Sequence, residues 1–418
     1  MTGAPISSRG LQADGEGLLL RREETKAKRT DAAPLRPNRA RSGFALVEPG
    51  EIGEAEWHAL MAEALSPNPY YDPACVKAGA RLARALKIQV VSLRDRRGTL
   101  RALMPVTMGR SLPLGQRRAS AYTNPFSPLT RPFIHHAEPV AIWHGLLDGL
   151  SANALPFLRL PILPNAEPAA TALFKALSER SGGLSVISER TRAGVAIDPA
   201  EEASFSLPLS TKKRKELRRL RRRLAERGDV TVTTHTGARD RVDAAAAFPE
   251  LEQAGWKGRG GTAMALNADT ANLFRTYVSD TAFPVEVIVH ALRVDGKPIA
   301  MFITLTAGGS AFIWKTAFDE NFAAFSPAGL LILDLAEDLV KRGIMLIDSC
   351  ASDAVSMADI YFGDRIPFMD ALVATGENTG ASNALFMTSS FLKTRLKLRE
   401  TAKTALKKLK DRKTWTGD

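Results

Sequence analysis

Apolar and polar positions begin to alternate in a regular way near Phe44, and from there the chain resolves into strands and helices. Lys87–Leu93 (KIQVVSL) and Thr99–Met108 (TLRALMPVTM) read as two strands folded about a turn at Asp95-Arg96-Arg97-Gly98. Glu54–Leu65 and Glu167–Leu177 have helical spacing, and short apolar runs at Pro156–Leu160 and Leu184–Ile187 flank the second helix.

The pattern is clearer further on. A basic helix over Lys212–Arg227 stops at Gly228, which suits a helix C-terminus. Val230–Thr234 reads as a strand, and Ala244–Ala254 and Asp269–Asp280 read as helices. Val285–Val294, Pro298–Ala307 and Ala311–Phe318 form a three-strand meander, because Asp295-Gly296 and Gly308-Gly309 between them are hairpin turns. Ser326 then opens a helix that runs to Arg342 and is ended by Gly343. Ile344–Asp348 and Ile366–Val373 are the last strands.

This order predicts an α/β (α+β) fold of two similar domains, each a mixed, mostly antiparallel sheet flanked by helices. An internal echo supports the pairing. VVSLRDRRGTLRALMPVTM in the first half resembles VHALRVDGKPIAMFITLT in the second, and both keep Leu-Arg before a charged, glycine-containing turn (Leu93-Arg94; Leu292-Arg293). The expected divisions are a disordered basic leader at 1–42, a first domain at 43–203, a second at 204–375 and a basic amphipathic tail at 376–418.

Composition narrows the function. With 418 residues, 45% hydrophobic and 24% charged, the chain has the balance of globular protein. Two cysteines, Cys75 and Cys350, exclude a disulfide framework, and six scattered histidines without paired ligand spacing argue against a metal site. No run reaches the roughly 18 apolar residues of a membrane span, and the N-terminus lacks a signal-peptide core, so a cytoplasmic location is expected. The charge of +12 is concentrated in the leader, in Lys212–Arg223 and in the tail after Phe391. No nucleic-acid fold accompanies it, so nucleic acid is not the expected partner. The tail interleaves basic residues with Leu392, Leu396, Leu398 and Leu406, a pattern that suits either peripheral contact with the anionic inner face of a membrane or a partly ordered helix packing loosely on the domain.

The second half resembles GNAT-type acyltransferases, and more narrowly the bacterial CelD-like group named for cellulose biosynthesis. LEQAGWKGRGGTA (Leu251–Ala263), FIWKTAFDENFAAFSPAGLLILDL (Phe312–Leu335), IDSCASD (Ile347–Asp353) and DRIPF (Asp364–Phe368) carry the resemblance. NPFSPLTRP (Asn124–Pro132) links the first half, more weakly, to a degenerate partner domain of that group. The group's pattern places a histidine before the methionine equivalent to Met357 and a tryptophan before the Asp-Arg pair. Here those regions read Val355-Ser356 and Tyr361-Phe362.

The resemblance implies an acyl-CoA co-substrate, acetyl-CoA or another, with no metal. The thioester arm is expected in a slot beside strand Ala311–Phe318. A pyrophosphate needs free backbone N–H groups, which the helix start Ser326, Pro327, Ala328, Gly329, Leu330 supplies, with Ser326 as a cap. Candidates for proton transfer or acceptor orientation are Asp319, Asp348, Tyr361 and Lys315. Trp256, Lys257 and Arg259, set among glycines, read as a flexible substrate-binding loop, with a stacking ring and two cations for phosphate or carboxylate.

Three functions remain in view. The first is an N-acyltransferase acting on a sugar, polysaccharide precursor or other small amine. The second is a Fem-like transferase that takes its acyl group from aminoacyl-tRNA, which would bring tRNA as a partner. The third is a non-catalytic partner of polysaccharide synthesis.

Overall fold

Two copies of one strand–helix plan share a single sheet. The computed structural model describes residues 43–82, 87–180, 183–200, 202–351, 357–377 and 379–415, side chains at 379–381 and 403–415 excepted. The basic leader therefore lies outside the described residues.

The strands are β1 Gly43–Val47, β2 Ile88–Arg94, β3 Leu100–Ser111, β4 Gln116–Ala121, β5 Phe133–Ile134, β6 Phe157–Pro164, β7 Leu184–Ala196, β8 Val230–His235, β9 Glu286–Val294, β10 Lys297–Ala307, β11 Ser310–Phe318, β12 Leu346–Asp348 and β13 Asp364–Ala374. The helices are α1 Glu54–Ala62, α2 Pro73–Leu82, α3 Pro139–Ala152, α4 Pro168–Glu179, α5 Thr211–Ala225, α6 Ala238–Ala245, α7 Phe248–Ala254, α8 Trp256–Arg259, α9 Ala268–Ser279, α10 Pro327–Lys341, α11 Ala358–Tyr361 and α12 Thr379–Trp415.

The sheet runs β1-β2-β3-β4-β6-β13-β7-β12-β11-β10-β9-β8, with β5 attached to β3. The echo in the sequence falls on equivalent hairpins, β2–β3 and β9–β10, each second from its outer end. Each half repeats the same order: an outer strand, a three-strand meander, a long helix (α3 or α10), a strand that pairs in parallel over three residues only (β6 with β4, β12 with β11) and a final strand (β7 or β13).

The final strands are exchanged. β7, from the first repeat, pairs with β12, and β13, from the second, pairs with β6. The two pair with each other from Asp364↔Gly194 to Val373↔Leu184 and so join the halves. A division near residue 203 thus separates neither sheet half cleanly.

The sequence showed only the first four residues of β7. The next five residues, Ser188-Glu189-Arg190-Thr191-Arg192, are polar yet central in the sheet, because Arg159–Asp370 and Arg192–Asp348 pair there. The helix expected over 244–254 is two helices, and Pro249 explains the break. A proline is accommodated in the first turn of α7 and would disrupt a continuing helix.

Helices cover both faces of the second half. Leu217, Leu220 and Leu224 of α5 join Leu331, Leu335 and Leu339 of α10 in one core. On the opposite face Phe248, Phe274 and Tyr277 from α7 and α9 pack on Trp314 and Met301. α12 closes over the central strands by placing Leu385 among Phe157, Ile187 and Leu372. The first part of the tail is thus a packed helix.

Candidate functional site

β11 and β12 run parallel for three residues only, ending at Phe312↔Asp348. Beyond that point β11 continues to Phe318 without β12 beside it, and a cleft of about 580 Å³ opens in the gap. The cleft passes through the sheet. Phe302, Ile313, Ala328 and Ile332 line it on the α10 side, and Glu252, Trp314 and Lys315 line it on the α7–α9 side.

A β-bulge makes this two-sided wall. Thr304 opposes Ile313 and Ile303 opposes Lys315, so Trp314 is the extra residue. Simple alternation would send Lys315 to the same face as Ile313. The bulge instead turns Trp314 and Lys315 together toward α7 and α9. No feature of the sequence announces it.

Lys315 has 11% side-chain exposure and sits 3.7 Å from the fully buried Glu252 carboxylate. Its ammonium lies 4.4 Å from the centre of the Phe126 ring, which comes from the first half of the chain. The Trp314 indole donates to the Phe126 carbonyl at 3.0 Å, fixing that loop to the cleft. Burial pushes the Lys315 pKa down to about 8, with Glu252 opposing and Lys257 reinforcing the shift.

Glu252 was not foreseen as a site residue. One oxygen accepts from Lys257 Nζ at 3.1 Å and the other from the Met264 backbone N–H at 2.8 Å. Lys257 also donates to the Thr316 carbonyl at 2.6 Å, on β11 itself. Glu252 stands 63 positions before Lys315, so no local motif couples them.

The Trp-Lys-Gly-Arg stretch is the helix α8 rather than a flexible loop. A Cβ at Gly258 would overlap the Gln253 backbone carbonyl, so glycine is required for α8 to press against α7. Trp256 is 58% exposed and lines the cleft. Arg259 turns to Glu320, which also accepts from the Trp256 N–H, both at 2.7 Å.

The remaining candidates are placed as follows. Asp319 caps the short helical turn Glu320–Phe325 by accepting from the Asn321 N–H at 2.9 Å. Asp348 is buried and held bidentate by Arg192, with one contact at 2.6 Å, and also accepts from the Cys350 N–H. Asp348 does not line the cleft, which leaves it out of place to take a proton from a ligand there. Arg192 is buried too; desolvation lowers its pKa, but Asp348 and its surroundings raise it overall.

Ser326 does not cap α10 with its side chain. It adopts a left-handed conformation (φ 51°) instead, which turns the chain sharply into Pro327. Tyr361 is buried against the start of α10, where a Cβ at Gly329 would overlap its hydroxyl. The guanidinium groups of Arg223 and Arg227 stand 5.9 and 5.7 Å from the Phe325 ring, and Lys213 lies 5.9 Å from the Tyr361 ring. The basic face of α5 therefore borders the start of α10. In the first half the equivalent left-handed residue before Pro139 is the exposed Glu138, an acid where an anion site would need a neutral or basic group.

Cys350 lines the cleft in a left-handed conformation, and burial, with Asp348 beside it, pushes its thiol up to about 12. It stays protonated and accepts or donates to the Tyr70 hydroxyl at 3.3 Å. Residues 352–356, which include the Val355-Ser356 departure from the family pattern, lie outside the described residues. Away from the cleft, Glu63, His135 and His136 bring ligand-type atoms within 4.8 Å of one another. The Arg101 guanidinium is 2.9 Å from His135 Nε2, a cation where a metal would need a free lone pair.

Residues 211–355 match the family model described as an acetyltransferase (GNAT) domain, so the second half of the chain carries a GNAT-type acetyltransferase domain. Among solved structures the chain is similar to FemX, with a TM-score of 0.51 and 11% identity over 77% of this chain and 96% of that one, a likeness of fold. A conserved protein of unknown function from Bacteroides thetaiotaomicron gives 0.49 and 13%, covering 77% and 97% of the two chains. A tandem GNAT protein from the clavulanic acid biosynthesis pathway gives 0.37 and 13%, covering 81% and 100%. No curated protein matches the sequence. Among the described residues no helix is long and apolar enough to cross a membrane.

Proposed function

We propose that the protein transfers an acyl group, acetyl in the simplest case, from acyl-CoA to the amine of a sugar, polysaccharide precursor or other small molecule. The observation that carries the reading is the cleft through the sheet where β11 leaves β12. A thioester arm entering from the α10 side meets an amine entering from the α7–α9 side, and the two reactants are held in line. The first N–H groups of α10, at Ala328 and Gly329, and the cations Arg223 and Arg227 suit a pyrophosphate, the Leu330 N–H being already bonded to the Ser326 carbonyl. The edge of β11 beyond Phe312, which β12 leaves uncovered, would supply backbone N–H donors for the developing oxyanion.

Glu252 is the only carboxylate lining the cleft among the described residues, and we assign it the proton of the attacking amine. That proton leaves nitrogen as the C–N bond forms; the C–S bond then breaks and the thiolate departs. Lys315 and Lys257 hold Glu252 in place. The finer resemblance to the CelD-like group supports a saccharide or its precursor as acceptor.

Calorimetric titration with acetyl-CoA and CoA tests the reading. Micromolar binding, weakened at least tenfold in Arg223→Glu/Arg227→Glu, is expected. These residues are exposed, so the variant leaves the core intact. Failure of the wild type to bind either would overturn the CoA reading. Binding of aminoacyl-tRNA in its place would favour the Fem-like alternative.

A further inference from the structure

Resting on that acyl-transfer reading, we infer that the acceptor carries an oxyanion, a carboxylate or a phosphate, which docks between Lys315 and Lys257 in the cleft. Two ammonium groups share one buried carboxylate here, because Lys257 and Lys315 both turn to Glu252. The cluster thus holds one positive charge in excess.

The other charged groups nearby do not offset it. Asp348 is occupied by Arg192, and Glu320 by Arg259. The groups facing Lys315 are Glu252 from α7, Lys257 from α8 and the uncharged rings of Phe126 and Trp314, at 4.4 and 5.9 Å. Aromatic faces attract a cation but accept no conventional hydrogen bond.

The ion-pair separation of 3.7 Å from Lys315 to Glu252 exceeds a hydrogen bond of normal length. An ammonium has three donors, and Lys257 spends two of its own on Glu252 and Thr316. Donors and uncompensated charge therefore remain in a largely buried site, and an oxyanion answers both needs. A neutral sugar amine answers only the first.

Binding an anion beside Lys315 would favour its protonated form. Since its pKa is about 8 in the free protein, anion binding at pH 8 should take up about half a proton, and at pH 7 about a tenth. The probes are N-acetylglucosamine 6-phosphate, N-acetylglycine and neutral N-acetylglucosamine, product-like amides with no amine to titrate in this range; the phosphate's own second pKa of about 6 offsets the uptake at pH 7, so for that probe the uptake is read at pH 8. Each is titrated calorimetrically at pH 7 and pH 8 in buffers of different ionisation enthalpy, without acyl-CoA. A CoA-independent result is thereby separated from the acyl-CoA test above.

The phosphate or the carboxylate probe is expected to bind with proton uptake that grows from pH 7 to pH 8, and the better of the two identifies the oxyanion. The neutral amide should bind at least tenfold more weakly. Lys315→Gln should abolish the uptake and weaken the anion by about 10- to 100-fold. Equal affinity for the neutral and anionic amides, binding without proton uptake, or no anion binding up to 10-millimolar order overturns the inference. The wild-type comparison stands alone if the variant fails to fold.

Discussion

Replacing Asp348 by Asn removes one charge from a pair that joins β12 to the exchanged strand β7. Both partners are nearly inaccessible, at 6% and 3% side-chain exposure for Arg192 and Asp348. Breaking such a pair typically costs about 3–5 kcal/mol, because the surviving charge is left desolvated. Arg192 would keep the Pro128 carbonyl at 2.8 Å and the Phe368 ring at 3.9 Å, which places the expectation near the lower bound, about 3 kcal/mol. For roughly 360 folded residues at about 2.1 cal/mol/K each, the melting temperature should fall by about 4 °C. Urea and thermal unfolding of the single variants, and of Arg192→Met/Asp348→Leu, measure the coupling. The double variant should regain most of the loss, since neither charge remains buried. A single-variant cost under about 1 kcal/mol, or a double variant no better than Asp348→Asn, would refute this account of the junction.

Lys315→Met tests the buried cluster through pH. Its folded pKa, about 8, lies below the ordinary lysine value of 10.5, so between these pH values the unfolded chain holds more protons and wild-type stability rises with pH. The rise should reach up to about 3 kcal/mol and be missing from Lys315→Met in urea unfolding at pH 7, 9 and 10.5; parallel curves would contradict it. Gly258→Ala forces α8 away from α7, and an acceptor KM raised about tenfold with a modest change in kcat is expected, whereas unchanged kinetics would detach α8 from acceptor binding. Leu385→Ala should cost about 2–4 kcal/mol in chemical denaturation, and a cost near zero would mean that α12 does not pack on the central strands in solution.

Local order was easier to read from the sequence than long-range placement. β9–β11 were legible because Asp295-Gly296 and Gly308-Gly309 punctuate alternating apolar runs. α3 was not: its Gly145 and Gly149 admit Leu93 and Phe44 at close quarters, so it reads as an apolar stretch without a polar face. β4 was hidden by its two consecutive arginines, Arg117-Arg118.

The start of α10 at Ser326-Pro327 was visible from its helix-initiating chemistry, but the burial of Tyr361 over Gly329 was not. The acceptor side was hidden for a physical reason. Glu252, Lys315 and Phe126 come from three distant segments, and only the bulge at Trp314 and the joining of the two halves bring them together.

The strand exchange also has a bearing on synthesis. On a ribosome the first repeat emerges with β6 exposed, and its neighbour β13 follows only after roughly 200 more residues. At about 5–20 residues per second that is a wait of some 10–40 s with an open hydrophobic edge. β7, made early, waits in turn for β12. Neither half can therefore be finished before β13 has been made, and until then the edge of β6 lies open to pairing with another strand.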